Sequence, residues 1–453
     1  LILRMSDGRF YHPASGLMAV SREALLENIE RRSAPSSTIP VIEEAPPRLD
    51  AAPPVVQAAR RAKVMLLADQ KPVQTLKKQP SDWREVTLAV WNSSSNDVQL
   101  VTIEKKGTSI RNVPSNMQVS VRGGSGYDTD YAVLPAGHVV VGVRYPIVET
   151  IKQKKTTSYR VHEMVYVPYG QSVHTDQVVR WGKITLDRLV ATALEEARKK
   201  HVMSKAFPGR LLADAADPVA LKSIMAIEHL DHASVGRGAD DRLELFYVEL
   251  ALNEGDAFHQ EVSSAGANGL LQFIPSTYAS VVKRWPQLSL ISDFHAGMGN
   301  LANAIKAEVA YLDDVWSDLP SQARDPRVTS PENMRAYLIA AYNTGGARVR
   351  RAINLFGEAW DKDYRKDWER LDAKQTSFAM TVYRLKKKLP VEKNAVTKKK
   401  LASDLATART NYAKATDELE TLERSRLKAE TLGYLLKYRL VAPRMKFAEV
   451  AMN

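Results

Sequence analysis

Asn253 to Pro275 reads NEGDAFHQEVSSAGANGLLQFIP and places one acidic side chain, Glu254, just ahead of a run of small residues. Gly255, Ser263, Ser264, Gly266 and Gly269 mark a place where backbone can approach a ligand closely. Leu252, Phe258, Leu270, Leu271 and Phe273 supply apolar surroundings. Desolvation there would favour the neutral carboxylic acid, and a neutral acid can give its proton to a glycosidic oxygen. The segment alone also admits a plain glutamate solvated at a helix end, so a second segment must decide.

Helical periodicity surrounds this stretch. Leu186, Leu189, Val190, Ala193, Leu194 and Ala197 line one face of a predicted helix with a basic last turn. Asp217 and Pro218 are a cap and first-turn pair for a helix running to His232. Arg242 to Asn253 predicts a third, which delivers Glu254 at its C-terminal end. Downstream, Ala296 to Val315 has helical spacing, and Ser330 with Pro331 opens a helix ending in AYNTGG, where Gly345 and Gly346 supply the stop.

The string Glu254, Ser263, Gly266, Ala267, Gly269, Leu270, Gln272 and Pro275 resembles the lysozyme-like domain of the lytic transglycosylases, whose motif reads E-S, then S-x-x-G-A-x-G-L-M-Q. From Glu254 the offsets are 9 to Ser263, 12 and 13 to Gly266 and Ala267, and 15 to 18 for Gly269 to Gln272, all as in that family. Ala341, Tyr342, Asn343, Thr344 and Gly345 look like its AYNAG segment. Two motifs in the right order, both at predicted helix boundaries, are far more specific than either alone. The resemblance covers Leu243 to Gly357 and departs from the family at Gly255 (serine there), Leu271 (methionine) and Thr344 (alanine).

The resemblance implies cleavage of peptidoglycan between N-acetylmuramic acid and N-acetylglucosamine without net addition of water. Glu254 would protonate the leaving oxygen, then deprotonate the muramoyl C6 hydroxyl to give a 1,6-anhydro product. One carboxylate suffices because the nucleophile belongs to the substrate. Ser263 would hydrogen-bond near the acid or the N-acetyl group, while Gln272, Tyr342 and Asn343 would line the cleft. Gly266, Ala267 and Gly269 would shape the turn. No cofactor and no metal are expected.

Composition narrows the setting. The 453 residues exceed what one core usually holds, so several domains are expected. With no cysteine, disulfides, thiolate metal sites and Cys nucleophiles are excluded. No apolar run is long enough to span a bilayer. Residues 1 to 20 lack a signal-peptide pattern and the numbering starts at Leu1, so either a leader has been removed or the numbering begins inside a longer chain. The net charge of +12 favours a polyanionic neighbour, but basic residues are not interleaved with aromatics and no nucleic-acid motif is found, so nucleic acid is not an expected partner. Much of the charge sits in Lys386 to Lys388 and Lys398 to Lys400, which read as a solvated helical face.

The expected architecture is multidomain α+β: a small all-β domain, then a lysozyme-like, mostly α-helical catalytic domain, then C-terminal helices. The expected boundaries are 1–80 for a Pro/Ala-rich extended arm holding one amphipathic helix at Ser21 to Arg32, 81–180 for a β-sandwich or barrel of six or seven strands, 181–240 for a helical connector, 241–360 for the lysozyme-like domain and 361–453 for a coiled-coil-like region. In the last, Leu401, Leu405, Ala408, Tyr412, Ala415, Leu419 and Leu422 step alternately by four and three, which suits a helical hairpin or an oligomeric seam. Arg122 to Gly126 (RGGSG) reads as a loop between strands. Glu228 with His229 and His232 makes a weak metal pattern, and Glu249 reads as structural. The expected partners are peptidoglycan glycan strands and the proteins of an envelope-spanning assembly. The expected location is the periplasm or cell envelope, or alternatively a phage particle. The rival reading keeps the lysozyme-like fold as a catalytically weak or inactive glycan-binding component.

Overall fold

The computed structural model describes residues 3–4, 10–12, 17–19, 51–153, 156–230 and 239–445. The chain forms two units, 1–52 and 53–453. In the first, β1 (Leu3–Arg4), β2 (Phe10–His12) and β3 (Leu17–Ala19) make an antiparallel three-stranded sheet. Ser21 to Arg32, expected as an amphipathic helix, lies outside the described residues.

The second unit opens with α1 (Pro54–Ala68), inside the stretch read as an extended arm. Pro54 suits a first helical turn, where its missing N–H is no loss. Val55, Val56, Ala59, Ala62 and Leu66 then recur on one buried face, leaving Arg60, Arg61 and Lys63 on the other. That face covers the sheet β4 (Gln74–Leu76), β5 (Arg84–Asn92), β6 (Val98–Lys106), β7 (Ser109–Arg111), β10 (His138–Gln153) and β11 (Thr156–Tyr166). The sheet is antiparallel in the order β4-β11-β10-β5-β6-β7.

Val86 to Trp91 are buried without alternation, as two-sided burial requires. Ala89 faces α1 together with Gly142, against which Leu66 and Ala62 of the helix lie. Val86, Leu88 and Val90 face the other way into a core with Val101, Ile103, Tyr131 and Val133. That second face is closed by the hairpin of β8 (Gln118–Ser125) and β9 (Asp128–Leu134). The RGGSG segment is therefore largely strand rather than loop: a register shift between Val121 and Gly123, and Gly124 at φ +74°, carry the strand into its turn.

Arg144 is buried and fixes α1 to the sheet. Its guanidinium donates to the carbonyls of Leu66 (3.3 Å) and Asp69 (2.6 Å), completing the helix C-terminus, and pairs with the Asp69 carboxylate at 2.8 Å.

Helices follow: α2 (Asp176–Lys199), α3 (Leu212–Ala215), α4 (Pro218–Glu228), α5 (Ala239–Asn253), α6 (Pro275–Arg284), α7 (Phe294–Gly299), α8 (Leu301–Asp318), α9 (Pro331–Thr344), α10 (Gly346–Phe356), α11 (Arg365–Lys388), α12 (Ala395–Ser425) and α13 (Ala429–Val441). Asp217 caps α4, accepting from Val219 N at 2.9 Å and Ala220 N at 3.1 Å, and Ser330 caps α9. The span expected as one helix from Ala296 breaks at Asn300, whose side chain caps α8 through Asn303 N.

The C-terminal heptad pattern becomes an intramolecular hairpin of α11 and α12, with Leu405, Ala408, Ala415 and Leu422 buried along its seam and Lys374 paired with Glu418 across it at 3.1 Å. Lys386 to Lys388 and Lys398 to Lys400 are exposed near its tip. The whole is α+β, a β-rich half followed by helices, and among the described residues no helix is long and apolar enough to cross a membrane.

Candidate active site

Glu254 leaves the last residue of α5 on a single 3₁₀ turn, in the left-handed region at φ +48°. Its side chain is one-third exposed (33%). Arg60 of α1 lies against it: Nε is 3.1 Å from both carboxylate oxygens, and a terminal guanidinium nitrogen donates to Oε1. Two residues on, Asp256 pairs with Lys63 of the same helix. One basic face of α1 thus covers the acidic turn.

Beneath the turn is a hydrogen-bonded network. The Asn253 amide reads the backbone of Val167 in both directions, accepting from its N–H at 2.9 Å and donating to its carbonyl at 3.0 Å. It also donates to Glu249 Oε2 at 3.0 Å, which takes the Tyr166 hydroxyl at 2.6 Å. Glu249 Oε1 accepts from Phe258 N at 3.3 Å. The Phe258 ring lies 3.9 Å from that of His229 and 5.3 Å from that of Phe246. His229 in turn bridges Glu261 (2.8 Å) and the Leu270 carbonyl (2.9 Å). A cavity of about 380 Å³ between β11 and α5 borders Glu249 rather than Glu254.

Burial pushes the Glu249 carboxyl up to about 7, and the Tyr166 and Phe258 donors only partly oppose it. Between about pH 4.5 and 7 the folded chain therefore holds a proton there that the unfolded chain has released. Stability from this group falls as pH rises through that window, by about 3 kcal/mol in total. Comparing urea midpoints at pH 5 and pH 7.5 for wild type and Glu249→Gln checks this: the variant should show the smaller loss.

Of the remaining predicted residues, Ser263, Gln272 and Tyr342 bond within and between the two motifs, whereas Asn343 bonds outside them. Ser263 Oγ accepts from Ala267 N at 3.0 Å and so closes the Gly266–Ala267 turn, instead of reaching the acid. Gly269 at φ +72° lies where an added Cβ would be 3.3 Å from the Met298 carbonyl, and its own N–H donates to Glu261 O. Gln272 donates to the Gly269 carbonyl at 2.9 Å. The Tyr342 hydroxyl donates to the Leu271 carbonyl at 2.7 Å. Two sequence motifs some 70 residues apart thus meet in space.

Comparison with known families marks the same stretch. Residues 244–364 match the Transglycosylase SLT domain. This part of the chain is a lytic transglycosylase-type SLT domain. Such a module is lysozyme-like and directed at peptidoglycan, a polymer outside the cytoplasm. Searches of curated proteins and of solved structures found no match.

The SLT domain is contacted from outside its own span by elements that sequence reasoning passed over. Besides Arg60 and Lys63, Thr431 of α13 donates to Asn343 Oδ1 at 2.8 Å, and Tyr434 stacks on Tyr342 with ring centroids 6.3 Å apart. The Tyr434 hydroxyl donates to Glu228 at 2.7 Å, so Glu228 serves this contact; His232 of the weak metal pattern lies outside the described residues. The signal for α1 was present in PVVQAARRAKVMLLA, a proline start and a 3–4 apolar step. Nothing local announces that α13 would cover the AYN segment.

Proposed function

We propose that the SLT domain cleaves the β-1,4 bond between N-acetylmuramic acid and N-acetylglucosamine and forms the 1,6-anhydro product. The observation that carries this is the bond from Tyr342, a residue expected to line the cleft, to Leu271, which joins the two motifs of an SLT domain. Glu254 serves first as acid to the leaving oxygen and then as base to the C6 hydroxyl. Ser263, Gln272, Tyr342 and Asn343 orient the sugars directly or through the turns they hold. The cutter works in the periplasm or cell envelope, on glycan strands, with the β-rich half and the C-terminal helices placing it within a larger assembly.

The conformation described carries a condition. Arg60 is ion-paired with Glu254 and engages both of the oxygens that the proposed acid would present to the leaving group. Both side chains are substantially exposed, 48% and 33%, so the pair is worth about 1 kcal/mol at most. An incoming strand can displace it. Arg60→Ala should therefore raise turnover about fivefold at low salt, and added salt should raise the wild type toward the variant, because screening weakens the pair. Turnover against ionic strength for both proteins checks this; parallel curves sink it.

The second reading, a glycan-binding component with little catalysis, is favoured by that same Arg60 contact and by Gly255, which lacks the family's hydroxyl beside the acid. Digesting purified sacculi and analysing the soluble fraction by mass spectrometry separates the two. Anhydro-muropeptides are the expected product. Hydrated reducing ends, or no release, would overturn the transglycosylase reading.

A further inference from the structure

The backbone around the acid is strained and needs a brace. Glu254 (φ +48°) and Phe258 (φ +61°), neither of them glycine, bound a five-residue turn in the left-handed region, a conformation that persists only when its surroundings impose it. The groups that meet this turn from below come from two directions. On the SLT side, Glu249 accepts from Phe258 N, and His229 packs on the Phe258 ring while bonding Glu261 and Leu270. The other direction is the end of β11, before the SLT domain begins. Tyr166 holds Glu249 and Val167 holds Asn253, the residue immediately before the acid. Glu249 and Asn253 are also bonded to each other, which locks the last turn of α5.

The donors around Glu249 give this network its meaning. Although Glu249 borders the cavity, both of its oxygens are taken by groups of the protein. Its position and its three donors suit a residue that acts through its neighbour. Asn253 behaves likewise: its amide is used fully, one oxygen and both directions of the Val167 peptide, and it is buried.

We infer that the end of β11 is a strut for the active site, with Tyr166, Asn253 and Glu249 acting as positioning residues that set the orientation of the Glu254 carboxylate. This rests on Glu254 being the acid and assigns the β-rich half a part in the reaction itself. Arg60 acts on the carboxylate from above; the strut acts on the backbone from below.

Tyr166→Phe tests it with least disturbance, since the ring stays and the hydroxyl goes; Asn253→Ala is the second variant. On soluble glycan strands each should lower kcat about tenfold with KM within about twofold, because a sub-ångström misorientation of the acid costs turnover and leaves sugar binding intact. The far-ultraviolet spectrum should stay close to wild type while the thermal midpoints fall, more for Asn253→Ala, which leaves the buried Val167 N–H and carbonyl unpaired. The kcat values are therefore compared at a temperature where each variant is fully folded. For Glu249, Gln retains one acceptor and should lie between wild type and Glu249→Leu. Unchanged kcat in both Tyr166→Phe and Asn253→Ala would overturn the inference, as would a fall in kcat that merely follows the folded fraction. If the wild type proves inactive, the transglycosylase reading fails separately, and hydrogen exchange still decides on the strut. Amides of residues 254–261 should lose protection in Tyr166→Phe, and equal protection would sink it.

Discussion

Glu254→Gln should lower the release of anhydro-muropeptides from sacculi by roughly 10³- to 10⁴-fold, the upper part of the range for one acid–base group, because the same carboxyl serves both steps. The change is nearly isosteric, and the ion pair it breaks, with Arg60, is exposed. Stability should therefore shift by no more than about 1 kcal/mol. Binding to sacculi, read by co-sedimentation, should persist. The contrast with Glu249 makes the experiment sharp. By ionisation alone Glu249 is the better-looking acid, since burial carries it up to about 7. Its oxygens, however, are engaged by Tyr166, Asn253 and Phe258. Glu249→Gln should thus cost far less turnover than Glu254→Gln. The reverse order would move the acid to Glu249, and equal activity in wild type and Glu254→Gln would remove catalysis by this carboxylate altogether.

How far the fold could be read from the chain depended on whether the signal was local. Strands β5 to β11 lie in the stretch read as β-rich, because β-branched residues bounded by turn residues are a local pattern. The caps at Asp217 and Ser330 are local too. The heptad seam of α12 showed which residues are buried, but its partner, α11, has no fully buried residue and so leaves only a faint pattern.

The site was legible in its residue types and offsets, and much less in its contacts. That Ser263 closes its own turn, that Tyr342 meets Leu271 and that Glu254 meets Arg60 are relations across 4, 71 and 194 positions. Only the first is within reach of sequence spacing. Composition misled at α1, where alanines and prolines suggested an open tether; the same alanines let the helix lie close on the sheet, with Ala62 against Gly142. Because α1 carries Arg60, that one difference changes the state in which the acid is found.

Gly182→Ala should destabilise the 53–453 unit by about 3 kcal/mol, even though alanine is the better helix former by about 1 kcal/mol. Gly182 sits in α2 where α5 crosses it, and an added Cβ would lie 1.9 Å from the Tyr247 carbonyl oxygen and 2.8 Å from its Cα. The obstacle is backbone, so no rotamer change relieves it and the two helices must separate. Urea unfolding of Gly182→Ala beside Arg180→Ala, an exposed position on the same helix, isolates the crossing; the control should stay within about 0.5 kcal/mol of wild type. The effect should also reach the chemistry. Tyr247 is two residues before Glu249 and six before Asn253, on the helix that ends at Glu254. A shift of α5 at the crossing is carried along a rigid helix to its last turn, away from Tyr166 and Val167, which hold that turn from β11. Under conditions where Gly182→Ala is still folded, its turnover should therefore fall as that of Tyr166→Phe does. A variant as stable as wild type would show that α5 is not seated on α2 at this glycine; a destabilised variant with full turnover would show that the acid's orientation does not depend on where α5 lies.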